Sequence, residues 1–241
     1  MVLGGCATNS GVKRRGVLCV AIALVLRAQD RFAAQRERMV REQIASRGIR
    51  NPAVLQSMRT TPRELFIPPE MRSLAYEDRA VSIGYGQTIS QPFIVAFMTE
   101  TLDVRKDHIV LEIGTGSGYQ AAVLSWLAGA VYTIEIGPEL AKSAAETLER
   151  LRYRNVVVRE GDGYKGWPEK APFDRILLTA APEEVPQTLL AQLKPGGKLV
   201  APVGGSSGQQ LRLMEKSADG KISTRSMLPV MFVPMVKPPG R

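Results

Sequence analysis

Short apolar runs alternate with longer stretches in which apolar residues recur every three or four positions. His108 to Ile113, Val131 to Glu135, Val156 to Val158, Phe173 to Thr179 and Lys198 to Val203 are the runs, each short enough for a buried strand. Between them lie helix-like segments. Tyr119 to Leu127 follows a glycine-rich turn, and Pro138 to Arg152 carries Leu140, Ala144, Leu148 and Leu151 on one side. Val185 to Leu193 is a third helix, and Lys194-Pro-Gly-Gly197 turns the chain back. Gln209 to Met214 and Met227 to Val236 add strands at the end. Strand and helix in alternation predict an α/β fold with a twisted, doubly wound, mainly parallel sheet, antiparallel at one end and covered on both faces. Ligands of such a sheet belong at the carboxyl ends of its strands.

Ahead of the sheet the pattern is helical and short. Residues 31–47 are dense in Arg, Glu and Gln, with only Phe32, Met39, Val40 and Ile44 as an apolar stripe, so this helix is expected on the surface of the main domain. Gly48 is its C-cap. Asn51-Pro52 starts a second helix by cap and first-turn proline, with Val54, Leu55 and Met58 inward. Thr61-Pro62 repeats the device before Leu65 and Phe66, and Pro68-Pro69 ends it. Ile83-Gly-Tyr-Gly-Gln-Thr-Ile-Ser-Gln-Pro92 then leads into the apolar helix Phe93 to Met98. Gly84 and Gly86 loosen this backbone, and Ser90 or Gln91 is placed to cap the helix that Pro92 begins.

Charge and composition narrow the chemistry. Of a formal net charge of +9, residues 1–50 carry ten basic and three acidic groups, and the remaining residues only 22 against 20. The basic excess is N-terminal, which argues against a nucleic-acid groove on the folded domain. Cys6 and Cys19 are the only cysteines, too few and too early for a metal cluster or a cysteine nucleophile in the core. The single histidine, His108, opens the central strand and makes a Ser-His-Asp triad improbable. Lys13-Arg-Arg followed by about ten apolar residues is long enough for a signal-peptide core and too short to span a bilayer. Residues 1–30 are read as a removable or disordered leader.

The candidate chemistry centres on Val110-Leu-Glu-Ile-Gly-Thr-Gly-Ser-Gly-Tyr119. A dinucleotide fingerprint would need a glycine where Tyr119 stands, and a phosphate-binding loop would need Gly-Lys-Ser/Thr. Glu-x-Gly-x-Gly-x-Gly instead resembles the first motif of the S-adenosylmethionine-dependent methyltransferases, in which the acid, here Glu112, faces the cationic methionine end of the cofactor. The other reading of the glycines is a plain strand-to-helix turn. Glu135 ends the second strand, where an acid commonly accepts from both ribose hydroxyls, although an exposed strand-end acid would look the same. Asp162 and Gly163 follow the third strand and could make a simple turn.

A more specific resemblance is carried by Gly86-Gln-Thr-Ile-Ser-Gln-Pro92, Leu111-Glu-Ile-Gly-Thr-Gly-Ser-Gly-Tyr-Gln120, Gly161-Asp-Gly163, Ala171-Pro-Phe-Asp-Arg-Ile176, Thr179-Ala-Ala-Pro182 and Leu193-Lys-Pro-Gly-Gly197. From about Met39 to Lys237 the chain is similar to the protein-L-isoaspartate O-methyltransferases of bacterial type. The resemblance implies a seven-stranded Rossmann-like methyltransferase sheet with an N-terminal helical cap. Residues 31–100 would form the cap and active-site loop, 101–204 the cofactor-binding core and 205–241 the C-terminal strands. It implies methyl transfer from S-adenosyl-L-methionine to the free carboxylate of isoaspartyl residues in damaged proteins and peptides, with Ser90 as active-site serine. Cofactor binding would fall to Gln87, Thr88, Glu112, Gly114, Thr115, Gly116, Glu135, Ile136, Asp162 and Gly163. Val95 departs from the animal enzymes, which have histidine five residues past the serine. Thr179-Ala-Ala-Pro-Glu183 stands where many methyltransferases that modify amino groups of bases or glutamine carry an Asn/Asp-Pro-Pro-aromatic motif, which speaks against nitrogen methylation of nucleic acid. A same-fold methyltransferase acting on a small molecule or RNA is the competing expectation, followed by a non-enzymatic binding module. The expected setting is a cytoplasmic monomer with no metal, no nucleic acid and no stable membrane association; export is the alternative if residues 13–28 act as a signal peptide.

Overall fold

The computed structural model describes Met1, residues 32–205 and 207–238, so the leader reading of residues 1–30 lies outside the described residues apart from Met1. Among the described residues nine strands follow in order: β1 (Val81–Gly84), β2 (Gln87–Ile89), β3 (Ile109–Ile113), β4 (Ala130–Glu135), β5 (Val156–Glu160), β6 (Phe173–Leu178), β7 (Leu193–Gly205), β8 (Gly208–Lys216) and β9 (Ile222–Val230). The last seven form one sheet in the order β5-β4-β3-β6-β7-β8-β9. Pairings from β5 to β7 are parallel and those of β7 with β8 and β8 with β9 antiparallel. The expected doubly wound, seven-stranded sheet is present.

The centre of the sheet is apolar because both of its faces are covered. Val110 and Leu111 of β3 and Ile176 and Leu177 of β6 are fully buried. Helices α3 (Pro92–Leu102), α4 (Tyr119–Ser125), α5 (Pro138–Arg150) and α6 (Gln187–Gln192) supply much of the cover. Leu140, Ala144 and Leu148 of α5 point inward as their spacing predicts, and Leu148 packs on the turn before α4. A Cβ on Gly118 would stand 3.1 Å from Leu148 Cδ1, and its φ of +86° is the left-handed region, so glycine alone suits this position.

Asp174 ties three strands together at the other end. Its Oδ2 accepts from the Ile109 N–H at 2.8 Å, at the entry of β3, and its Oδ1 from Lys194 Nζ at 2.8 Å. His108 beside it is buried and accepts from the Arg105 N–H, which agrees with a strand-entry role.

The helical cap departs from its expected form in three places. Helix α1 covers residues 32–38, then winds as a π-helix over Met39–Ile44 and a 3-10 turn over Ala45–Arg47, ending at Gly48 with φ +100°. Met39, Val40 and Ile44 are fully buried while Arg38, Arg41 and Glu42 are exposed, so the segment lies on the main domain with its apolar stripe inward, as expected, and only the winding differs. After α2 (Pro52–Thr60), capped by Asn51 as expected, Thr61 does not cap the next turn; its hydroxyl donates back to the Ser57 carbonyl at 2.8 Å. Pro68-Pro69 does not only end a helix but opens another 3-10 turn, Pro69–Leu74.

The flexible loop expected around Gly84 is a hairpin of β1 and β2, turned by Tyr85 and Gly86 at φ +53° and +70°. Lys194-Pro-Gly-Gly197 is an irregularity inside β7, since Leu193 pairs with Phe173 and Lys198 with Arg175. The last strand is β9 at Ile222–Val230, earlier than the apolar run Met227–Val236 predicts. Ile222-Ser-Thr-Arg-Ser226 is exposed edge strand with little apolar signal, whereas residues 231–236 leave the sheet.

Burial pushes the Asp174 carboxyl up, but the Ile109 N–H and the Lys194 ammonium outweigh it and hold its pKa below the ordinary value. Such a group stabilises the fold above the unfolded-chain pKa of about 3.9 and loses that contribution as pH falls through the native value. Asp174→Asn should cost about 1–3 kcal/mol at neutral pH in urea unfolding. Its deficit against the wild type should shrink on acidification to about pH 3.

Candidate active site

The turn from β3 into α4 is shaped by backbone that side chains would obstruct. Gly114 has φ +97°, and a Cβ there would stand 2.4 Å from Thr179 Oγ1. The Thr179 hydroxyl reaches the carbonyls of Ile113 and Gly114, locking the end of β6 against the turn. The N–H groups of Gly114 and Thr115 donate to the Ile134 carbonyl at 2.8 and 3.2 Å, and Thr115 Oγ1 meets Thr133 Oγ1 at 2.7 Å.

Glu135, at the end of β4, fixes the next part of the turn. Its Oε2 accepts from the Gly116 N–H at 2.8 Å and its Oε1 from the Gly137 N–H at 3.0 Å. Each oxygen keeps a further lone pair. The carboxylate is buried and lines a cavity of about 830 Å³, open mouth included.

That cavity collects most of the residues singled out from the sequence: Gln87, Thr88, Ser90, Gly114, Thr115, Gly116, Glu135, Ile136 and Gly163. Glu112 and Asp162 do not line it. Glu112 is fully buried behind the wall, with both carboxyl oxygens lacking a hydrogen-bond partner among the described residues. Burial pushes its pKa up to about 8, so the carboxyl is largely protonated at neutral pH. Asp162 Oδ1 accepts from the Tyr164 N–H at 2.9 Å and caps the 3-10 turn Gly163–Lys165. That turn presses Gly163 on the end of β3, where a Cβ would stand 2.4 Å from Ile113 Cγ2.

Ser90 lies between β2 and α3. Its carbonyl accepts from Arg63 Nη2 at 2.7 Å, and its hydroxyl makes no hydrogen bond among the described residues. Gln91 is the N-cap residue of α3 and no side chain bonds the helix N-terminus, so the capping role open to Ser90 on sequence is overturned. Pro92 already removes one of the donors such a cap would serve. Thr88, Ser90, Thr179 and Val233 also line a second, outer cavity, with Gln91, Ile94 and the segment from Pro229 to Phe232. Ser90 thus stands where two cavities meet.

Sequence reasoning missed part of the wall. Val233, Pro234, Met235 and Val236 line the inner cavity, as do Val95, Tyr119, Gln120, Thr179 and Ala180. Residues 231–236 read as strand because they are apolar. Their apolarity serves the cavity, and they are held by Phe232 with Gln209 and by Val233 and Met235 with Ala181. The small pair after β6 gave the only available signal for Thr179 and Ala180.

The lining fits the cofactor implied above. Among the described residues Glu135 is its only charged side chain, with no Lys or Arg to neutralise a diphosphate. A held carboxylate with spare lone pairs suits vicinal hydroxyls, and Ile113, Ile134 and Ile136 offer apolar surface for a base. A cavity without cations favours a ligand that carries positive charge itself.

Two outcomes follow. Because the native pKa of Glu112 is raised, its contribution is fully present below the unfolded carboxyl value and is lost as pH rises through about 8. Urea unfolding at about pH 6 and about pH 9 should therefore show a larger loss in the wild type than in Glu112→Gln. Glu135→Ala should weaken S-adenosyl-L-homocysteine binding by about 1.5–3 kcal/mol in calorimetric titration. Unchanged affinity would remove Glu135 from the site.

Comparison with known proteins agrees with this geometry. The family model for protein-L-isoaspartate(D-aspartate) O-methyltransferase matches residues 34–239. A protein-L-isoaspartate O-methyltransferase of Synechococcus sp. (strain JA-2-3B'a(2-13)) is 56% identical over 216 residues, covering 87% of this chain and 88% of that protein. Protein-L-isoaspartate O-methyltransferase 1 of Cupriavidus necator is 51% identical over 235 residues, 91% of either chain. A solved protein-L-isoaspartate O-methyltransferase is 31% identical with a TM-score of 0.75 over 83% of this chain, which spans 65% of that solved chain's length. A putative enzyme of the same name from Plasmodium falciparum, solved with S-adenosyl-L-homocysteine, shares the fold. Its TM-score is 0.72 at 23% identity, over 84% of this chain and 99% of that one. With a match that runs from the helical cap to the segment walling the cavity, the chain belongs to the protein-L-isoaspartate(D-aspartate) O-methyltransferase family.

Proposed function

We propose that the protein transfers the methyl group of S-adenosyl-L-methionine to the free carboxylate of L-isoaspartyl residues in damaged proteins and peptides, the first step of their repair. Family membership and close relatives of that name support the activity. The observation that carries the site assignment is Ser90, a hydroxyl free of protein partners among the described residues, standing between an inner and an outer cavity.

In this reading the inner cavity holds the cofactor. Glu135 receives the ribose hydroxyls, the turn at Gly114 to Gly116 lies against the ligand, and Gly163 and Ile136 flank the base. Bound there, the cofactor supplies an electrophilic methyl group on a sulfonium. The outer cavity admits the polypeptide, and Ser90 Oγ–H donates to one oxygen of its carboxylate. An isoaspartyl carboxylate is ionised at neutral pH, so no general base is needed. The protein's task is to align the acceptor oxygen and keep water from it. Val95, buried beside Ser90 in the inner wall, contributes to that exclusion.

The near balance of charge over residues 51–241 supports a protein acceptor over RNA. Among the described residues no helix is long and apolar enough to cross a membrane. We place the enzyme in the cytosol as a monomer, to be checked by fractionation and gel filtration.

Because Arg63 holds the Ser90 carbonyl and not its side chain, Ser90→Ala should keep stability within about 0.5 kcal/mol of the wild type. Loss of a hydrogen bond to a charged acceptor should lower kcat/KM for an isoaspartyl peptide roughly ten- to 150-fold. Affinity for S-adenosyl-L-homocysteine should stay. A fully active Ser90→Ala would take the serine out of the site. Equal methylation of the matching aspartyl peptide would sink the substrate assignment.

A further inference from the structure

Arg63 is the one fully buried arginine among the described residues. It follows α2, in the 3-10 turn Arg63–Phe66. Its Nε donates to the Ala75 carbonyl at 2.7 Å and its Nη2 to the Ser90 carbonyl at 2.7 Å. Its guanidinium carbon stands 4.9 Å from the ring centroid of Tyr119, a residue of the inner cavity wall. Nη1 is buried and has no partner among the described residues. Among the described residues no carboxylate lies within ion-pair distance of the guanidinium. The neighbouring Glu64 is engaged instead by Arg36 at 3.5 Å and by the Tyr76 hydroxyl.

Such an arrangement is expensive if its only purpose is to join two loops. A buried cation without an anion carries a large desolvation cost, and guanidinium does not shed its proton to avoid it. A neutral amide could donate to the same carbonyls. The cavities in front of it have the complementary shortage: among the described residues the only charged side chain lining either one is Glu135, a carboxylate. An anionic acceptor entering beside Ser90 meets no cation on the walls, only the one behind Ser90 and Tyr119.

We infer that Arg63 is a positioning residue for the acceptor, its buried guanidinium fixing Ser90 while supplying the positive field that draws an anionic carboxylate into the junction of the two cavities. The inference rests on the isoaspartyl reading of that junction. It explains why the charge is kept without a partner in the protein. The substrate carboxylate is the missing anion, present only when the reaction can occur.

The test separates charge from scaffolding. The full-length protein, saturated with S-adenosyl-L-homocysteine, is titrated with an isoaspartyl peptide and with its neutral isoasparaginyl amide, by fluorescence anisotropy. The wild type should prefer the acid. Arg63→Gln, which keeps an N–H donor and removes the charge, should reduce that preference about tenfold or more, while Arg63→Lys should keep it within about threefold. Cofactor-product affinity should move by less than about threefold in both variants. A scaffolding role predicts that Arg63→Gln weakens acid and amide equally, and that result would overturn the inference, as would an acid preference left intact. Should Arg63→Gln not fold, Arg63→Lys decides: preference retained supports the charge, preference lost refutes it. A wild type that methylates no isoaspartyl peptide would fell the functional reading and this inference together. A wild type that methylates it, with Arg63→Gln still preferring the acid, would fell the inference alone.

Discussion

One carboxylate holds the inner cavity in shape. Glu135 receives the N–H of Gly116 from the turn after β3 and that of Gly137 from the turn after β4. Two neighbouring strand ends are thereby fixed to one point, at the edge where a doubly wound sheet offers its ligand site. Of the two donors, Gly116 has φ +52°, in the region that favours glycine. Thr179 then closes the third side from β6, over the space that a Cβ on Gly114 would occupy. Three parallel strands thus end in one rigid rim.

Much of this rim was legible before any coordinates. Runs of buried strand residues, glycines at alternate positions and an acid at the end of the second strand each express one local constraint, and local constraints survive in sequence. What was not legible depends on contacts between distant segments. The stripe Met39, Val40 and Ile44 marked the buried side of the first helical segment but not its winding, since Met39 to Ile44 form a π-helix where a 3.6-residue period was assumed. The run ending at Val236 looked like strand because hydrophobicity cannot tell a sheet interior from a cavity wall. Ser90 before Pro92 looked like a helix cap, and only the structure shows its hydroxyl free of that duty. Glu112 stood in the glycine motif and lies behind the wall, a distinction of one layer that no spacing encodes.

The distribution of buried charge separates the two halves of the site. On the sheet side the ionisable groups are carboxyls: Glu135 held by N–H groups and Glu112 kept protonated by burial. On the cap side Arg63 is the one fully buried guanidinium among the described residues, the buried Glu64 carboxyl beside it being engaged by Arg36 and Tyr76. A cationic ligand over the sheet and an anionic one under the cap would each meet the opposite charge. The pair would also neutralise one another as they approach, which favours joint occupancy of the two cavities over either ligand alone.

The segment from Phe232 to Val236 is attached to the rest of the molecule through Gln209, Ala181 and the Tyr164 hydroxyl. It forms one wall of a cavity whose other walls come from residues 87–180. During synthesis this wall emerges after every other part of the site. A nascent chain can complete its central parallel strands and still lack an enclosed ligand cavity. A chain lacking Phe232 to Val236 would leave this side of the cavity open, so the cavity is complete only once that segment has been made.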